Sequence, residues 1–315
     1  MHLAATSFEH VPGWDREDHH ALAALLESQR VLGTGLNGGD ARAVLEQRFQ
    51  AFAVCDADGE ASSGHLTGYF EPVLRGSRTP SDVYRYPVYA LPDELADPAA
   101  ARSTTFFTRR EIEAGALDGC GLELCWLSDA VDCFFLHVQG SGRICFDDDT
   151  MVDCAFAGKN GHAYTSIGKH LVAAGEIAGE EISLETLRAW LSRQPAVARE
   201  VMQLNDSYIF FALHEIDARR EATRTGPPGA GGVPLIPDRS LAVDPDFHPL
   251  GRVMFVVSEP LGLARGLLAH DIGSAIRGAA RGDIYCGTGD AAGARAGSIN
   301  HPASFFVLLP RELPR

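Results

Sequence analysis

Apolar positions at three- and four-residue intervals open the chain. Leu22, Leu25 and Leu26 fall on one face of a helix predicted over 15–32, and Asp40 can cap a second helix bearing Leu45, Phe49 and Phe52. Between them Gly33-Thr34-Gly35-Leu36-Asn37-Gly38 has the form GxGxxG. A dinucleotide site needs a strand before that loop, and helix precedes it here, so a helix–helix turn is expected. From Gly64 the pattern changes to short runs rich in Val, Ile, Phe and Tyr. They predict strands over 64–71, 84–91, 133–139, 142–146 and 151–156, with a turn at Asp147-Asp148-Asp149-Thr150. That acid triplet lacks the alternate-residue spacing of a calcium loop and reads as a solvated hairpin tip. Helical spacing returns with Leu184, Leu187, Trp190 and Leu191, stops near Pro195, and is followed by a short helix to about Leu204. Gly226-Pro227-Pro228-Gly229-Ala230-Gly231-Gly232 is the densest Gly/Pro stretch, suited to a linker or functional surface loop. Strands are predicted again over 252–258, 271–276, 283–286 and 305–309. No internal repeat is found, and the chain reads as β-rich with helices at its start and middle.

Composition narrows the function. The chain has 315 residues, 45% hydrophobic, enough for a sizeable core, and its length suggests two domains of about 150 residues each. Its 27 Lys+Arg against 42 Asp+Glu give a net charge of −15, opposite to the basic footprint that nucleic acid requires. No apolar run approaches the roughly 18 residues of a membrane span. Residues 1–14 lack a basic segment followed by an apolar one, so no secretory signal is read there. The seven cysteines include no CxxC and follow no zinc or disulfide framework, and they are expected to be buried thiols. Cys145 and Cys154 flank a predicted turn, but no bridge is assigned.

Several familiar patterns fail on inspection. Ala163 and His170 stand where a phosphate-binding loop needs Gly and Ser/Thr, and Gln139-Gly140-Ser141-Gly142-Arg143 lacks the first Gly of a nucleophile elbow. There is no HExxH. His19 and His20 are adjacent and diverge on a helix, while His137, His162, His248 and His301 are isolated in sequence. No metal and no cofactor is expected.

The densest chemistry lies between Asp271 and Gly289, where Asp271 and Asp283 each lead a short apolar strand across a glycine-studded connection. Glycines allow close backbone approach, as a groove for an extended ligand often requires. Read locally, the same residues are equally strand-end acids and turn glycines. A third acid stands upstream in Val243-Asp244-Pro245, followed by Pro249-Leu250-Gly251.

With Asp271-Ile272-Gly273-Ser274-Ala275-Ile276-Arg277-Gly278 and Asp283-Ile284-Tyr285, that acid completes a pattern resembling the three-aspartate domain of the membrane-bound lytic murein transglycosylase A family. Thr67-Gly68-Tyr69-Phe70-Glu71-Pro72, Val138-Gln139-Gly140-Ser141-Gly142, Ala157-Gly158-Lys159-Asn160-Gly161-His162, Tyr164-Thr165-Ser166-Ile167-Gly168-Lys169 and Asn205-Asp206-Ser207-Tyr208 resemble the family in its order.

The resemblance implies a mainly β fold with flanking helices: a double-psi β-barrel domain from 1–72 and 208–315, and a second small β-barrel domain inserted at 73–207, with a groove between them. It implies non-hydrolytic cleavage of the β-1,4 MurNAc–GlcNAc bond of peptidoglycan, leaving 1,6-anhydroMurNAc ends. By motif position Asp283 is the catalytic acid, with Asp271 and Asp244 supporting it. Thr67, Tyr69, Glu71, Gln139, Ser141 and Asn160 are the substrate-binding candidates. Peptidoglycan strands are the expected partner, with the cell-wall synthesis machinery as a further one, for a monomer at the periplasmic face of the outer membrane. A polysaccharide hydrolase using a carboxylate pair and a non-catalytic peptidoglycan-binding module are the alternatives.

Overall fold

The structure, a computed structural model, describes residues 2–31, 39–56, 62–97, 106–216 and 225–311. The GxGxxG segment at 33–38 lies outside them. In chain order the strands are β1 (His2–Thr6), β2 (Phe49–Cys55), β3 (Gly64–Glu71), β4 (Val73–Ser77), β5 (Tyr86–Tyr89), β6 (Glu123–Leu127), β7 (Gly142–Cys145), β8 (Met151–Lys159), β9 (Ile209–Glu215), β10 (Ser240–Val243), β11 (Val253–Ser258), β12 (Leu263–Ile272), β13 (Arg281–Thr288) and β14 (Asn300–Pro310). The principal helices are α1 (His19–Ser28), α2 (Ala41–Arg48), α3 (Ala130–Gln139), α4 (Ile167–Ala173), α5 (Leu184–Arg193), α6 (Pro195–Met202) and α7 (Asp290–Gly297).

The chain divides into two compact units. The first takes 1–68, 228–285 and 299–315; the second takes 69–227 and 286–298. In the first, the strand order β14-β11-β12-β10-β13-β3 closes on itself through β14–β3 pairing, while β2 and β1 extend the sheet beyond β14. Closure removes the exposed edges of six strands, which is why so many short apolar segments are stable together. The pairing of β10 with β12 is parallel, whereas β10–β13, β11–β12, β11–β14 and β14–β3 are antiparallel.

Outside the barrel wall, α1 and α2 are held by aspartate caps: Asp18 accepts from the Ala21 amide at 2.9 Å and Asp40 from the Ala43 amide at 3.2 Å. Leu22, Leu26 and Leu45 pack with Trp14, Phe49 and Phe255 in one core. Gly266 of β12 is required there, because a Cβ would lie 2.6 Å from Leu22 Cδ2. Asp40 caps the second helix as predicted, but Phe49 and Phe52 belong to β2 rather than to that helix.

The second unit is a six-stranded sheet ordered β5-β6-β4-β7-β8-β9, and an isolated bridge between Ala90 and Phe211 joins its two ends. The fold is therefore the expected one, mainly β with two small barrels and flanking helices.

One element is corrected. Residues 133–139, predicted as a strand, lie in α3, where Asp129 accepts from the Val131 and Asp132 amides and Gly140, at φ 80°, ends the helix. Val131, Phe134, Phe135, Leu136 and His137 are all buried, so the helix is apolar nearly all round and its sequence lacks the polar face that marks helical period. The 271–276 prediction is also shifted: β12 ends at Ile272 and a turn follows. All seven cysteines are free, and Cys145 pairs across the ladder with Met151, not Cys154.

Candidate active site

Two aspartates reach the same face of the first barrel from different strands. Ala242 of β10 is paired with Asp271 of β12 on one side and with Asp283 of β13 on the other. Directly paired residues share a face, so both carboxyl groups emerge on one side, with Cα atoms roughly 10 Å apart at two strand spacings. A β-bulge produces this register. Leu241 pairs with Ala269 but Ala242 pairs with Asp271, so His270 is the extra residue. Without it, Asp271 would point to the opposite face. The His270 ring is buried and hydrogen-bonded to Ser240 Oγ at 2.8 Å, and burial pushes its pKa down to about 4, so it stays neutral.

Asp283 is only partly exposed. Thr67 Oγ1 of β3 donates to its Oδ1 at 2.6 Å, and Arg281 Nη2 donates to the same Thr67 oxygen at 2.8 Å. Arg281 and Asp283 sit two apart on one strand and so share a face. Burial is the main cause that pushes the Asp283 pKa up to about 6. The Thr67 hydrogen bond and the Arg281 charge oppose that rise, and the like charge of Asp271 adds to it. Because Oδ1 already accepts from Thr67, the proton of the neutral acid resides on Oδ2.

The connection between β12 and β13 is fastened from below. Asp244, 3% exposed, accepts from the Gly278 amide at 2.8 Å and the Asp246 amide at 3.2 Å, with Arg277 at 3.6 Å. Gly278 has φ 100°, open to glycine at no steric cost. His248 Nε2 donates to the Ala279 carbonyl at 2.6 Å. Asp271 accepts from the Ala230 amide at 3.0 Å, so part of the Gly/Pro stretch is tied to this site.

The remaining candidates lie in the second unit. Tyr69 and Ser141 are half-buried, and Gln139 Oε1 accepts from the Phe70 amide at 3.0 Å. Glu71 and Asn160 correct the expectation of substrate contact, since neither has exposed surface. Glu71 accepts from Arg143 Nε at 3.0 Å and Thr288 Oγ1 at 2.6 Å. Asn160 donates to the Phe107 and Asp206 carbonyls and accepts from the Tyr208 amide. Both polar groups are used inside the fold.

Arg281 and the bulge at His270 were not singled out from sequence. The i, i+2 spacing of Arg281 and Asp283 on one strand was the signal for the first. Among the described residues no group of three or more His, Cys, Asp or Glu side chains is placed to hold a metal ion.

Residues 65–212 match the MltA specific insert domain and residues 239–309 match the 3D domain. The membrane-bound lytic murein transglycosylase A of Vibrio cholerae is 35% identical over 278 residues, covering 84% of this chain and 70% of that protein. The Escherichia coli K12 protein of the same name is 34% identical over 283 residues, covering 86% and 72%. Among solved structures, a membrane-bound lytic murein transglycosylase from Agrobacterium tumefaciens superposes with a TM-score of 0.84 at 34% identity, covering 99% of this chain and 98% of that one. Escherichia coli MltA with bound chitohexaose gives 0.71 at 30% identity, covering 96% and 86%. Fold and matches together define an enzyme of the peptidoglycan lytic transglycosylase class. The chain belongs to the membrane-bound lytic murein transglycosylase A family.

Proposed function

We propose that this protein cleaves the β-1,4 bond between MurNAc and GlcNAc in peptidoglycan without water, using Asp283 alone as acid and then base. Protonated Asp283 donates from Oδ2 to the glycosidic oxygen as positive charge develops at the anomeric carbon. The C6 hydroxyl of the same sugar then attacks that carbon and gives its proton to the carboxylate, which restores the acid and leaves a 1,6-anhydro ring. An intramolecular hydroxyl carries a large effective concentration, so no second carboxylate is needed to activate water. Asp271 assists by its charge, Arg281 and Thr67 orient the acid, and Asp244 holds the connection between them. Tyr69 offers a ring face for a sugar, and Gln139 and Ser141 offer polar groups for its hydroxyl and N-acetyl substituents.

The observation that carries this reading is a solvent-reachable aspartic acid whose pKa lies near 6, high enough to hold a proton near neutral pH. Of the two bases a hydrolase could use beside Asp283, Glu71 is sealed in the fold, which leaves Asp271. The bound chitohexaose of the Escherichia coli relative supports a glycan strand as substrate. The relatives named membrane-bound support a place in the cell envelope, although no helix among the described residues is long and apolar enough to cross a membrane. The two compact units are read as the discontinuous domain pair, with β9 belonging to the inserted one.

Mass spectrometry of products from purified sacculi tests the reaction: anhydro ends are expected, and reducing ends would assign a hydrolase. Asp283→Asn should abolish turnover while glycan pull-down persists. Unchanged turnover in that folded variant would remove Asp283 from the mechanism.

A further inference from the structure

A cavity of about 830 Å³ lies wholly within the second unit, and none of the residues proposed for the glycan chemistry lines it. Its volume falls in the ~300–1,000 Å³ range of small-ligand sites. Tyr89 and Tyr208 line it, 4% and 3% exposed, with ring centroids 6.5 Å apart. Among the described residues neither hydroxyl has a hydrogen-bond partner, and both residues line the cavity. Buried tyrosine hydroxyls usually find a partner. Two of them lining one space point to a polar group that belongs there.

The charges around the cavity indicate which group. Arg109 is fully engaged: it donates to the Asn205 and Ser207 carbonyls and pairs with Glu113. Arg199 is held by the carbonyl and carboxylate of Glu113. Asp129 is occupied as the cap of α3. That leaves Asp118 and Glu123 with no paired cation among the described residues, beside the half-buried rings of Tyr86 and Trp126. The charges of both acids reach Tyr89, whose pKa, already raised by burial, goes up to about 12, so its hydroxyl keeps its proton. Arg85 also lines the cavity, 5.8 Å from the Tyr86 ring centroid and with no paired carboxylate among the described residues. Two carboxylates, aromatic faces and one guanidinium suit a primary ammonium and a carboxylate carried on the same ligand.

We propose that this cavity binds an amino acid or the end of a short peptide, with its ammonium toward Asp118 and Glu123 and its carboxylate toward Arg85. The inference is independent of the glycan chemistry. A free amino acid and an amine-bearing peptide cut from peptidoglycan share this recognition chemistry.

Trp126 makes the test direct, because it lines the cavity, whereas Trp14 and Trp190 are buried in core clusters and do not line it. Titrating the full chain with L-lysine should change tryptophan fluorescence saturably, and the change should vanish in Trp126→Phe. Nα,Nε-diacetyl-lysine and N-acetylglucosamine should give none. Asp118→Asn with Glu123→Gln, both on exposed or half-exposed side chains, should weaken binding at least about tenfold with an unchanged melting curve, and Tyr89→Phe should weaken it less. Peptides released from sacculi by an amidase form the second arm: tighter binding than lysine assigns the wall as source, and weaker binding assigns a free amino acid. No saturable response up to about 10 mM lysine, an equal response in the double variant, or binding of the acetylated compounds would each overturn the proposal.

Discussion

A carboxyl group held near pKa 6 among groups that pull it both ways should move in opposite directions when those groups are removed. Asp271→Asn deletes a like charge, so the Asp283 pKa should fall and the high-pH limb of activity should shift to lower pH. Thr67→Val deletes the hydrogen bond that stabilises the anion, so the limb should shift to higher pH. Rate–pH profiles of the two variants beside the parent check both signs. The same perturbation acts on stability. A raised folded-state pKa means that the folded protein binds the extra proton between about pH 4 and 6, so its contribution is present below that window and is lost as pH rises through it. Asp283→Asn removes the penalty and should raise stability at pH 7 by about 1–3 kcal/mol in urea unfolding. At this scale only the resemblance proposed Asp283 as the acid, whereas local pattern left it a strand-end residue. Glu71 and Asn160 misled because a polar side chain that satisfies buried groups looks, in sequence, like one that meets a ligand. Glu71→Ala should cost about 3–5 kcal/mol, since Arg143 is then left buried beside a missing partner.

Among the elements, the bulge in β12 carries the most consequence for the site. Gly229 lies against it, and a Cβ there would stand 2.5 Å from the His270 carbonyl oxygen and 2.8 Å from Leu235. Gly229→Ala should therefore displace the bulge and lower turnover more than it lowers stability, by about tenfold if Asp271 turns from its register. Comparing kcat with the melting curve separates the two effects. The strands β7, β11 and β14 were legible in their Ile, Val and Phe, and β3 in its Tyr-Phe pair. Most of β12 was not, because Leu-Ala-Arg-Gly-Leu-Leu-Ala carries neither strand alternation nor β-branched residues. The α3 helix escaped for the opposite reason, being apolar where alternation of faces was the only clue.

Over the whole molecule, contacts are mostly distant in sequence: the Thr67–Asp283 hydrogen bond spans 216 positions. No local periodicity could have joined them, and only the order of motifs along the chain carried that information. The barrel of the first unit depends on β14, which pairs with β11, β2 and β3 together. A chain ending before Asn300 should lose hydrogen-exchange protection throughout β2, β3 and β11, while β7, β8 and β9 of the second unit keep theirs. Such non-local closure also predicts slow refolding, in the millisecond-to-second range or beyond.

The dependence on β14 also bears on when the chemistry becomes available. While a nascent chain lacks that strand, Asp283 sits in water as an ordinary aspartate with a pKa of about 3.9, ionised at neutral pH and unable to protonate a sugar ether. On the proposed mechanism the acid is thus latent through synthesis and arises only when the ring of strands shuts around it. A partly made or partly degraded copy carries every residue of the motif and none of its potency.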